Sequence, residues 1–190
     1  LLKYNAENYI SAIALIAGQI SLDEFEIVRS NSIKLPQGRG EILKLREGNI
    51  LIDFAHDHQS IQNILSELAN YHDEIILVFG CGGDRDKSKR SKMMKIAQDF
   101  ASKIFFTSDN NRYEPFSSIV KDAMAGNSYT SIEILEDRKE AINLALQCLN
   151  KENILVILGK GHETYMDLSG KKVPFNDKDC VLEILGNEIN

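Results

Sequence analysis

Apolar residues near the start of the chain recur three and four apart, at Ala6, Tyr9, Ile10, Ile13, Ala14 and Ala17, and Gly18 closes the run as a C-cap would. That spacing predicts a helix from Asn5 to Gly18, with a second, short helix over Leu22 to Arg29. Pro36, Gly38 and Gly40 then break the periodicity, so Asn31 to Gly40 reads as a connection between two units, 1–35 and 36–190. Glu41 to Arg46 and Asn49 to Phe54 are strand-like runs around Glu47-Gly48, which predicts a hairpin. From residue 55 the pattern alternates strictly: helix near 57–70, strand 75–79, helix 88–101, strand 103–107, helix 115–125, strand 131–135, helix 138–149, strand 153–158. A short hairpin near 165–175 and a helix from Asp177 to Leu185 complete the pattern.

Strands alternating with helices predict βαβ units, and hence an α/β fold with a doubly wound, mostly parallel sheet. Ile75 to Phe79 and Ile154 to Leu158 are apolar at every residue, as strands covered on both faces must be, which places both in the middle of that sheet. With 190 residues, 43% of them hydrophobic, the chain can bury one full core with a smaller piece attached. Leu1 opens straight into a helical pattern with no initiator Met, so a piece of a longer protein is expected.

The net charge of -6 comes from acidic and basic residues mixed along the sequence, which leaves no basic footprint for nucleic acid. No apolar run reaches the roughly 20 residues that cross a bilayer and no signal-peptide pattern is present, so a cytoplasmic protein is expected. Cys81, Cys148 and Cys180 are odd in number and share no CxxC or Cys/His spacing. They fit a reducing compartment, and with His56 and His58 two apart and no third ligand at a sensible spacing, zinc is not expected.

In an open parallel sheet, ligands bind beyond the carboxyl ends of the strands. Four strand ends carry unusual polar clusters: Asp53 to His58, Gly80 to Lys87, Ser108 to Arg112, and Gly159 to Glu163. Three glycines in four positions at 80–83 would let the backbone approach a ligand closely. Arg85, between Asp84 and Asp86, would be held in a fixed pose suited to a ligand carboxylate; the plain alternative is a surface ion cluster. Asp109, Asn110 and Arg112 offer an acceptor, an amide and a guanidinium suited to a zwitterionic amino acid, or else an Asx-rich turn before the helix at Pro115, the reading preferred for Asn111. Glu163 could accept an ammonium and His162 support its loop, whereas Lys160 is equally credible as a solvated surface residue. The G-x-x-x-x-G-K-[ST] pattern occurs nowhere, so the glycines at 159–161 are not a P-loop. Without a Ser/His/Asp or Cys/His constellation, the site looks built to bind and orient.

Taken in order, Tyr4 to Asn8, Gly38-Arg39, Asp53 to His56, Phe79 to Lys87, Asp109 to Arg112 and Gly159 to Glu163 resemble the Mur ligases over essentially the whole chain, and most of all the members that add the third residue of the peptidoglycan stem peptide. The resemblance implies a Rossmann-like C-terminal domain over 36–190, preceded in 1–35 by the last helices of a central ATPase domain. It implies ATP and Mg2+ as cofactors, UDP-MurNAc-L-Ala-D-Glu and meso-diaminopimelate as substrates, and a monomeric protein. Asn5 and Asn8 would contact the adenine, Arg39 the ATP phosphates and Asp53 the ribose, with His56 near the nucleotide. Arg85, Asp109, Asn110, Arg112, Gly159 and Glu163 would hold the incoming amino acid. In the family a D-N-P-R motif accompanies diaminopimelate, which Arg112 favours here. The chain departs at Asn111, where Pro is usual, and at Asp57-His58, where Thr-Pro is common. Without the P-loop these residues alone should not catalyse. A stand-alone Rossmann-like nucleotide- or amino-acid-binding module and a folylpolyglutamate synthase-like ligase are the alternatives.

Overall fold

The computed structural model of the chain describes residues 3–16 and 36–186. Two compact units are found, Leu1–Pro36 and Gln37–Asn190. In the first, α1 spans Lys3–Ile16. The expected cap at Gly18 and the helix over Leu22 to Arg29 lie outside the described residues.

The second unit begins with an antiparallel pair, β1 (Arg39–Lys44) and β2 (Asn49–Asp53), joined by the turn at Glu47-Gly48. Then follow α2 (His58–Leu68), β3 (Glu74–Cys81), a 3-10 turn at Lys87–Lys89, α3 (Arg90–Phe100), β4 (Lys103–Ser108), α4 (Phe116–Met124), β5 (Ile132–Leu135), α5 (Arg138–Gln147) and β6 (Asn153–Leu158). The hairpin β7 (Tyr165–Leu168) and β8 (Lys171–Pro174) forms its own two-stranded sheet, and α6 (Asp177–Leu185) follows. The main sheet runs β1-β2-β6-β3-β4-β5, and every pair but β1–β2 is parallel. As the continuous apolar runs require, β3 and β6 are the two central strands.

Side chains alternate across each strand, which divides the core in two. Ile50, Ile52, Ile76, Val78, Phe105, Leu155 and Ile157 meet Ala141, Ile142 and Ala145 of α5 and Cys180 and Val181 of α6. On the opposite face Phe79 and Phe106 pack edge to face, their centroids 5.2 Å apart, and Phe106 lies against Phe116 of α4. Short polar side chains fix where the helices start. Asp57 accepts from the Gln59 and Ser60 amides, and its own amide faces the Ser60 hydroxyl, a capping box that serves where the family commonly has Thr-Pro. Asp137 caps α5 and Asn176 caps α6 in the same way.

Candidate functional site

Because β2, β6, β3 and β4 are mutually parallel, their carboxyl ends share one edge, and Arg39, opening the antiparallel β1, sits opposite Asp53 at that same edge. A cleft of about 160 Å³ opens there. It brings together seven of the expected residues, His56, Arg85, Asp109, Asn110, Arg112, Gly159 and Glu163, with Phe54, Lys89, Arg90 and Met93 among the other walls. Arg39 and Asp53 lie beside it and do not line it. Asn5, buried, and Asn8, exposed, belong to α1 in the first unit.

The glycine-rich turn does not approach a ligand in the manner its composition suggests. A Cβ on Gly80 would fall on the Thr107 carbonyl, and one on Gly83 would fall on the carbonyl of Asn111. These glycines let two loops of the protein touch each other, and of the three only Gly82 lines the cleft. The contact is stitched by four hydrogen bonds, and a fifth steadies Arg112 within its own loop. The Gly83 amide donates to Asn110 O (2.8 Å), the Asp84 amide to Glu114 Oε2 (3.0 Å) and the Tyr113 amide to Asp84 Oδ2 (3.0 Å). Arg112 Nη1 donates to Gly83 O (2.7 Å) and to Asn110 O (3.2 Å). Asp84 and Arg112 both adopt positive φ, 50° and 51°, a conformation that non-glycine residues keep only where surrounding bonds hold it.

Arg85 corrects a second expectation. Its carboxylate neighbours do not pose it: Asp84 accepts from the Tyr113 amide, and Asp86 caps the 3-10 turn by accepting from the amide and hydroxyl of Ser88. Short acidic side chains reach nearby backbone donors more easily than a guanidinium on an adjacent residue. The Arg85 guanidinium is exposed and, among the described residues, unpaired at the mouth of the cleft.

Lys160 corrects a third, since it is no surface residue. Its side chain is fully buried, with Nζ 2.8 Å from Glu163 Oε2, 3.3 Å from Asn110 Oδ1 and 3.6 Å from Asp109 Oδ1. Burial pushes the Glu163 carboxyl up, but the bonds from Lys160 and Asn110 more than offset this and hold it below the usual carboxylate range. Asn110 is itself tied down: Nδ2 donates to Glu163 Oε2, and Oδ1 also accepts from the Asp167 amide. The β7–β8 hairpin thereby braces the loop, together with backbone bonds from the Arg112 amide to Asp167 O and from the Ser169 amide to Arg112 O. Asn111 turns inward to Ser108 Oγ at 2.9 Å, in keeping with the structural role preferred for it.

Three further groups were given no role of their own in the sequence reading. Arg90, 1% exposed, binds both oxygens of Glu114 (2.8 and 2.6 Å), Asp122 Oδ2 (2.8 Å) and Gly82 O (3.0 Å). Its guanidinium holds the Glu114 carboxyl far below the usual carboxylate range, against the effect of burial and with help from Lys87 and the Asp84 amide. Arg138 and Asp177 form a fully buried pair, and Arg138 also donates to Ser108 O (3.3 Å) and Leu158 O (2.9 Å), the last carbonyls of β4 and β6. Helix periodicity alone could have flagged these arginines as polar residues on buried faces. Phe54 carries Arg39 over its ring at 4.5 Å and meets His56 and His162 at 4.8 and 4.9 Å. Asp53 is committed to the backbone, accepting from the Gly40 amide (2.6 Å) and the Ala55 amide (2.8 Å). Cys81 is buried with its thiol pushed up to about 12 by burial and by Asp109, so it stays a small packing group.

The family model described as Mur ligase, glutamate ligase domain matches residues 38–161, which include all four strand-end loops up to Gly161. The chain belongs to the Mur ligase family. It is similar to the UDP-N-acetylmuramoyl-L-alanyl-D-glutamate–2,6-diaminopimelate ligase of Chlamydia felis, with 35% identity over 191 residues, covering 98% of this chain and 39% of the relative. A solved ligase of the same name superposes with a TM-score of 0.77 at 32% identity, covering 97% of this chain and 39% of that one. A folylpolyglutamate synthase from Thermotoga maritima superposes with a TM-score of 0.51 at 21% identity over 74% of this chain and 31% of its own, a likeness of fold alone. The chain thus spans about two fifths of the length of these two Mur ligases. Among the described residues no helix is long and apolar enough to cross a membrane.

Proposed function

We propose that residues 36–190 are the amino-acid-binding domain of a ligase that adds meso-diaminopimelate to UDP-MurNAc-L-Ala-D-Glu, and that residues 1–35 are the last helices of its ATPase domain. The observation that carries this reading is the charge layout of the cleft. Arg85 and the part of Arg112 not bonded to the loop carbonyls offer guanidinium donors, while Asp109 and Glu163 offer carboxylates. Such a layout suits a ligand with both carboxylates and ammonium groups, and Arg112 would pair with the distal carboxylate of diaminopimelate. Asn110 and Gly159 would shape the pocket around it.

ATP would convert the acceptor carboxylate into an acyl phosphate, whose carbonyl carbon the amine attacks with loss of phosphate. The contribution of these residues is to hold the amine and to restrict its approach, an effect of orientation and charge complementarity. Arg39, on the Phe54 ring, and His56 would face the nucleotide; Asp53 would reach the ribose from its fixed place between the Gly40 and Ala55 amides, and Asn5 and Asn8 would contact the adenine. Mg2+ would be bound mainly by the ATPase domain. By themselves these residues are expected to be inactive, since no P-loop pattern occurs in them.

The full-length protein, given ATP and UDP-MurNAc-L-Ala-D-Glu, is expected to release phosphate when meso-diaminopimelate is supplied and not when L-lysine is. Equal stimulation by the two amino acids would defeat the specificity, and no stimulation by either would defeat the function.

A further inference from the structure

The ammonium side of the cleft contains a cation of its own. Asp109 and Glu163 reach the cleft from two different strand ends, and Lys160 lies between them with no exposed surface. Burying a lysine is costly unless its partners compensate, and all three of its polar partners are side chains that line the cleft. Lys160 engages only Oε2 of Glu163; among the described residues no hydrogen bond reaches Oε1, nor the buried Oδ1 of Asp109. Two carboxylates against one lysine leave a single negative charge, which is the complement of one ammonium group.

We propose that Lys160 is a positioning residue for the amino-acid substrate: by sitting between Asp109 and Glu163 it offsets one of their two charges and sets the subsite to accept one ammonium. The proposal rests on the reading that these carboxylates receive the amine end of an amino acid. Without the lysine, buried Asp109 and partly exposed Glu163 would lose the cation between them, and their like charges would favour uptake of a proton by the pair on acidification. Other groups near the pair include His162 on the Glu163 side, Cys81 and Arg138 on the Asp109 side, and the cleft-lining Arg85, Arg90 and Arg112.

The test measures kcat and KM for meso-diaminopimelate in the full-length protein from roughly pH 6 to 9, for the wild type, Lys160→Met and Lys160→Gln. Each variant is expected to show a KM that rises about tenfold relative to wild type on the acid side, one unit of carboxyl shift being one factor of ten, while kcat changes less. Lys160→Gln keeps a donor for Glu163 and Asn110, so it serves where the Met variant fails to fold. Curves of KM against pH that run parallel in all three proteins overturn the proposal, and loss of folding in both variants does so too by assigning Lys160 to the fold. Wild-type protein that shows no amino-acid-dependent phosphate release overturns the underlying function instead.

Discussion

Arg112 uses one guanidinium for two purposes. Nη1 is spent on the carbonyls of Gly83 and Asn110, so the rest of the group is presented to the cleft at a fixed angle. A lysine has a single point of charge and cannot bridge two carbonyls while also pairing with a ligand in the bidentate manner. Arg112→Ala is expected to weaken meso-diaminopimelate use by about 1.5–3 kcal/mol in kcat/KM, the scale of a charge-assisted hydrogen bond, and Arg112→Lys is expected to recover little of it. A variant with unchanged kcat/KM would remove Arg112 from the site. Glu114 affects stability more than binding. Its folded carboxyl titrates below the unfolded value of 4.5, so its contribution is present above that value and is lost as the pH falls through the lower, folded one. Glu114→Gln is therefore expected to flatten the acid loss of stability below about pH 4.5, and to cost on the order of 3 kcal/mol at neutral pH by leaving Arg90 underpaired. Urea midpoints measured across acid and neutral pH check both signs.

At the scale of elements, the site depends on strand ends that are fastened together from behind. β4 and β6 are not neighbours, since β3 lies between them, yet Arg138 at the start of α5 binds the last carbonyl of each and is itself held by Asp177 at the start of α6. The pair thus fixes the points from which Asp109 and Gly159 enter the cleft. Arg138→Met is expected to destabilise the fold by about 3–5 kcal/mol, because it strands a buried carboxylate, whereas Arg138→Met with Asp177→Leu should cost clearly less. Thermal denaturation of the two variants separates an ion pair that adds stability from one that costs more to break than to omit. The same elements show what pattern reading captures. The helices α2, α5 and α6 were legible from the strict alternation of strand and helix patterns, and β3 and β6 because Ile75 to Phe79 and Ile154 to Leu158 are apolar at every residue. The β7–β8 hairpin was legible as a hairpin, but its bracing of residues 110–112 was not, since pairing across that distance leaves no local trace.

On the scale of the whole molecule, the described cleft holds groups to bind and orient, and the proposed chemistry needs groups from elsewhere in the protein. That division suits an enzyme whose domains close to assemble the reacting site. The sequence by itself determined the order of elements, the central place of β3 and β6, and the edge of the sheet where the polar strand-end loops gather, because periodicity and chain direction are local properties of the sequence. It also named seven residues that line the cleft. Tertiary structure alone decided what those residues do there. Gly80 and Gly83 face neighbouring backbone, Asp84 and Asp86 are turned to amides and leave Arg85 free, and Lys160 is sealed between carboxylates, one of them on a loop some fifty positions away in the chain. A G-K-G segment reads as exposed because burying a lysine is unfavourable. Only the fold supplies the partners that reverse that balance, and so turns the run Gly159 to Glu163 from a solvated loop into the charged floor of the cleft.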